Sequence, residues 1–138
     1  MKTPLILAVV LLGQFISPKL LAQGSWTSQK SLHCFLRDEN RRRVMDERFV
    51  QYQNGNKILF LMGTSEIAGY VTDVQGASAD DRHLQLEMRY QVGSEWGVAQ
   101  TSVDYKISDA PKNLASLSLQ EPTVWAHVIT LKCELVSR

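Results

Sequence analysis

Cysteine and histidine are scarce in this chain: two of the first and three of the second in 138 residues. Cys34 and Cys133 lie nearly a hundred positions apart. That separation reads poorly as a metal site and allows a single intramolecular pairing. His33, His83 and His127 show neither H-E-x-x-H nor any close spacing that would suggest zinc. A G-x-S-x-G turn to hold a hydrolase nucleophile is absent, and Gly63-Thr64-Ser65, Gly76-Ala77-Ser78 and Gly93-Ser94-Glu95 read as turns. Glycine-rich phosphate loops are absent too. Asp73, Asp80 and Asp81 flank a loop but lack the spacing and closing Glu of a calcium loop. No catalytic residue, metal or cofactor is therefore expected.

An excess of one charge is missing as well. Lys and Arg number 15 against 14 Asp and Glu. Setting aside residues 1–22, which hold Lys2 and Lys19 and no acid, leaves 13 bases against 14 acids. That balance excludes nucleic acid as a partner, because its binding needs clustered, uncompensated Lys and Arg. Arg37 to Arg48 carries five arginines, but Asp38, Glu39, Asp46 and Glu47 leave it at +1 and self-paired. Glu66 to Asp109 is more lopsided, with eight acids against Arg82, Arg89 and Lys106. A cationic protein partner is expected if those acids share a face.

Long apolar runs are confined to Leu5–Ile16. Met1-Lys2 before it, and Ser17-Pro18 and "KLLAQG" after it, have the order of a secretory signal peptide cut after Ala22. Twelve residues are too few to cross roughly 30 Å of hydrocarbon. A signal at 1–22, one domain at 23–138, and a periplasmic or secreted location with no retained anchor are expected.

What remains is a strand pattern. Leu84, Leu86, Met88, Tyr90 and Val92 alternate with His83, Gln85, Glu87, Arg89 and Gln91. Five matched alternations predict a half-buried antiparallel strand. After the "GSEW" turn, Ala99, Val103, Tyr105 and Ile107 share the next apolar face, which completes a hairpin. "NGN" at 54–56 predicts a turn between "ERFVQYQ" and "KILFLM", and "EIAGYVTDV" reads as a further strand. Two segments stay open between strand or turn and helix: 37–48 and 109–122. Counting by twos places Leu32, Cys34 and Leu36 on one apolar face of the first strand. Trp125, His127, Ile129, Leu131, Cys133 and Leu135 share one in the last. A Cys34–Cys133 bridge between neighbouring first and last strands would seam the sheet shut. The expected fold is all-β: an antiparallel barrel or sandwich of about seven or eight strands.

By the same parity His33 and His83 belong on solvent faces, and His127 is a hydrogen-bonded core residue. Trp96, in the hairpin tip beside Glu95, falls opposite the core residues that follow it. Trp96 and Glu95 are the candidate contact residues. Packing over the barrel end is the alternative for Trp96, and Trp26 and Trp125 read as packing residues.

"LHCFL", "VQYQNGNKILFLMG", "GAS" and "LKCEL" give the chain a layout that resembles the periplasmic inhibitors of C-type lysozyme. Those are small exported β-barrels with a cysteine in the first strand and another near the C-terminus. Their "SASG-x-R-Y" segment is missing, so the resemblance implies a fold and no function. The expected function is a non-enzymatic binding domain with a protein partner. The rivals are a structural envelope component with no discrete ligand, and a periplasmic protein similar to those lysozyme inhibitors, suggested by layout alone.

Overall fold

The computed structural model describes residues 30–52, 57–64, 66–120 and 127–137. The signal and its cleavage site, the turn at 54–56, Trp26 and Trp125 fall outside the described residues. Eight strands follow in order: β1 (Lys30–Asp38), β2 (Arg43–Gln51), β3 (Ile58–Gly63), β4 (Ile67–Gln75), β5 (Asp81–Val92), β6 (Glu95–Lys106), β7 (Lys112–Gln120) and β8 (Val128–Ser137). They form two four-stranded antiparallel sheets, β2-β1-β8-β7 and β3-β4-β5-β6. Among the described residues there is no helix.

The alternation that predicts these strands also builds the interior. Leu32, Cys34 and Leu36 from β1 and Ile129, Leu131, Cys133 and Leu135 from β8 meet Ile67 and Val71 from β4 and Leu84, Leu86 and Met88 from β5. A Cβ at Gly69 of β4 would lie 3.1 Å from the Leu131 side chain, so the sheets face each other closely. Two sheets packed over one core make a sandwich.

Cys34 and Cys133 are bridged. They sit directly opposite in the β1–β8 ladder with Cα atoms 4.1 Å apart, the close spacing of a non-hydrogen-bonded pair. Neither is exposed to solvent. First and last strands are thus neighbours, as expected, but the bridge does not seam the sheet shut. β1 and β8 are the two inner strands of the first sheet, and β2 and β7 are its edges. Chain ends that pair in the middle of a sheet leave the edges to other strands.

The described parts of the two open segments, 37–48 and 109–120, form turns and strands and no helix. Glu39–Arg42 is a turn, with Arg42 at φ 52°, and Arg43 then enters β2. β7 pairs with β8 through a register shift between Asn113 and Ala115. Ala115, Leu117 and Leu119 pack on the core there, alternating as strand residues do. Edge strands are normally guarded by charge, and β2 carries Arg43, Asp46, Glu47 and Arg48. β3 reads ILFLMG with no charge at all.

At the open end of the second sheet, Tyr90 of β5 lies over Gly97 of β6. A Cβ at Gly97 would come within 2.1 Å of its ring. Gly97→Ala should therefore expel the ring and cost about 1–3 kcal/mol, as overpacking does. Equilibrium denaturation checks this, and a neutral result would mean the ring has room to move aside.

Candidate functional site

The outer face of the second sheet is built by the strand positions that the core leaves over. Register places Glu87 between Tyr70 and Gln100, and Arg89 between Ala68 and Val98. Gln91 faces Trp96, and its backbone N–H donates to the carbonyl of Glu66 on the other side. Leu61 faces Tyr70 from β3. Four large apolar side chains on this face are more than half exposed: Leu59 at 62%, Leu61 at 55%, Val98 at 54% and Trp96 at 53%. They stand on β3 and β6, the two edges, with the small Ala68 between them.

Leu61, Thr64, Ala68, Tyr70, Arg89, Trp96 and Val98 line an open groove of about 500 Å³. Ala68, with its single methyl, is the floor. The Arg89 guanidinium leans over the Tyr70 ring, 4.6 Å from its centroid, and donates to Glu87. Glu87 holds that guanidinium ionised by raising its already high pKa. Gln100 donates to the other Glu87 oxygen at 2.6 Å. The groove is thus apolar at its sides and self-paired in charge at its centre. Exposed apolar surface gathered in this way marks a contact site more often than scattered exposed leucines do.

Trp96 lies exposed in this groove and does not cover the end of a barrel. Glu95 is exposed at the hairpin tip but points to the opposite side of the strand, and it does not line the groove. Leu59, Leu61 and Tyr70 are additions that sequence reasoning missed. "KILFLM" is a continuous apolar run with no alternation, so it holds no sign of which members face out.

The polar clusters elsewhere have structural employment. Asp73 of β4 is fully buried and takes Arg82 Nε at 2.5 Å and the Tyr105 hydroxyl at 2.5 Å. Tyr52 and Tyr105 share a hydroxyl contact of 2.6 Å, and Arg82 lies 5.6 Å from the centroid of the Tyr52 ring. Burial pushes the Asp73 carboxyl above the usual range, against hydrogen bonds from Tyr105 and Arg82 that pull it down. Burial also raises both tyrosines. Asp73 therefore does not flank a solvated loop with Asp80 and Asp81, as its sequence position suggested, but lies inside β4. Asp73 shares its face with Val71 and Gly69, and Arg82 shares its face with Leu84 and Leu86.

Asp80 and Asp81 hold turns. Ser108 donates to Asp80 through both backbone and side chain, and Ser78 donates to Asp81. Among the described residues no group of three or more His, Cys, Asp or Glu gathers to hold a metal. The acids of Glu66–Asp109 do not all share a face as uncompensated charge. Asp73 is inside, while Asp81, Asp104 and Asp109 are paired with Lys106, His83 and Lys112.

His83 stays half-exposed, as expected, at 2.6 Å from Asp104. His33 departs from expectation. Its side chain is only 14% exposed, stacked on Phe49 at 3.9 Å, with Nδ1 2.8 Å from Glu134 and Nε2 3.3 Å from Glu47. Its two ring nitrogens thus reach Glu47 of β2 and Glu134 of β8 and link β1 to both neighbours. Aromatic and acidic neighbours on adjacent strands cover what a single-strand count leaves open. His127 is also displaced. It lies just before β8 and is half-buried, with Nδ1 3.5 Å from Asp38 and without a hydrogen bond. The Arg41 backbone N–H holds the Asp38 carboxyl below the usual range. No pair of these groups forms a nucleophile and base.

Comparison with known proteins finds no family model, no curated protein and no solved structure that matches the chain.

Proposed function

We propose that the chain is an exported, non-enzymatic binding domain, and that its contact surface is the outer face of the second sheet. One observation carries this reading. Leu59, Leu61, Trp96 and Val98 are more than half exposed together on that face, on edge strands where charge is the usual guard. A buried aromatic anchor with apolar neighbours is the usual centre of a protein contact, and Trp96 is placed to become one. The sandwich supplies a rigid platform, so little ordering opposes association. Export rests on the signal reading of residues 1–22. The Cys34–Cys133 bridge is compatible with an extracellular or periplasmic location. Among the described residues no helix is long and apolar enough to cross a membrane.

A photo-crosslinking residue placed at Val98, and a second placed at Ser118 on the first sheet, test the reading in cells. Val98 is expected to yield one dominant adduct that Trp96→Ala suppresses, and Ser118 none. Many adducts from both positions, or none from Val98, would favour an envelope component without a discrete partner.

A further inference from the structure

Resting on that contact surface, we infer that its partner presents a basic residue beside an apolar one, and that Glu66 and Trp96 receive the basic side chain. Glu66, just before β4, accepts from the Gln91 backbone N–H of β5 and so continues that ladder, and with Trp96 of β6 they form the outermost row of the face. Strand parity puts all three on the side of Ala68, Arg89 and Val98. Glu66 and Trp96 are two strand spacings apart, about 10 Å. An arginine or lysine stem laid over the indole spans most of that gap and brings its charge to the carboxylate.

The charges around the groove select the sign. Among the described residues Arg89 is the only cation lining it, and it is drawn away from this row, over Tyr70 and onto Glu87. Glu66 is exposed and, among the described residues, has no cationic partner. The outermost row therefore offers the Glu66 carboxylate and an indole face, both of which favour a cation. Arg41 and Arg43 lie beyond Gly63 and Thr64, in a separate hollow with Asp38 and Asp46. The apolar residue of the partner falls on Ala68, between Leu61 and Val98. The next row is two residues along the strands, about 7 Å away. That is the reach of neighbouring side chains on one partner segment.

The test uses three short acetylated peptides of alternating composition: arginine–leucine, serine–leucine and glutamate–leucine. Each is titrated into the isotope-labelled chain, and backbone amide shifts are read by NMR. The arginine–leucine peptide is expected to shift Ala68, Gln91 and Trp96 and to bind at least tenfold tighter than the glutamate–leucine peptide. Glu66→Lys should abolish that preference while leaving the spectrum folded. Equal binding of all three peptides at the groove would overturn the basic partner and leave the contact surface standing. Tighter binding of the glutamate–leucine peptide would do the same. Shifts confined to other faces, or none with any peptide, would overturn this inference. The contact surface itself would then be judged by crosslinking from Val98.

Discussion

Replacing Arg82 by methionine should destabilise the fold by about 3–5 kcal/mol at neutral pH, the usual cost of leaving one member of a buried ion pair alone. Asp73 would be the stranded member, fully buried, with Tyr105 as its remaining close donor. The loss should shrink as pH falls. Burial already sets the Asp73 carboxyl above its unfolded-state value, so the folded state takes up a proton more readily than the unfolded one. Without Arg82 that difference widens. A group raised in this way contributes stability at acid pH that is lost as pH rises through its folded titration. The variant should therefore approach the parent in mild acid and fall furthest behind at neutral pH. Adding Asp73→Asn to Arg82→Met should recover part of the loss, because no charge is then buried unpaired. Urea denaturation at both pH values reads this. A loss of the same size at each pH would mean that Arg82 acts through packing on Tyr52 and not through its charge.

Removing the bridge should be nearly as costly. Cys34 and Cys133 are 99 positions apart. Closing a loop of that size restricts the unfolded chain by an amount worth up to about 4–5 kcal/mol in the chain-entropy model. The Cys34→Ala/Cys133→Ala variant is expected to lose about 4 kcal/mol. Any folded molecules should keep β1 beside β8, because nine residue pairs hold that ladder. The bridge thus acts on the unfolded state more than on the fold. A loss below about 1 kcal/mol would show that the unfolded chain keeps its ends together without it.

Much of this fold was legible because its inner strands alternate so regularly. Leu84, Leu86 and Met88, and Ile129, Leu131 and Cys133, could each be placed by counting twos, and so could the pairing of Cys34 with Cys133. The closure inferred from that pairing was not, because parity says which face a residue takes and not which neighbours its strand has on both sides. Strand order depends on contacts between distant segments, as with β7 adding to the outer edge of β8. His33 was misplaced for a related reason. Its cover comes from Phe49, Glu47 and Glu134 on adjacent strands. Trp96 was legible as a candidate from its place at the hairpin tip. The rest of the groove was not, because Leu61 and Tyr70 come from other strands and join Trp96 only through register. Asp73 and Arg82 were missed as well, because buried charges break the apolar pattern that marks an inward face, and only their pairing makes the placement tolerable.

The central claim is that the apolar residues of the groove serve contact and not folding. Equilibrium unfolding of the triple variant Leu61→Thr/Trp96→Thr/Val98→Thr tests this most directly, since threonine keeps strand propensity while removing the apolar surface. The predicted stability is within about 1 kcal/mol of the parent, as for exposed substitutions, with the Val98-side crosslink to a partner lost in the companion Leu61→Thr/Trp96→Thr chain. A loss of about 3 kcal/mol or more, the range of buried side chains, would show that these residues hold the sandwich together and would contradict the claim.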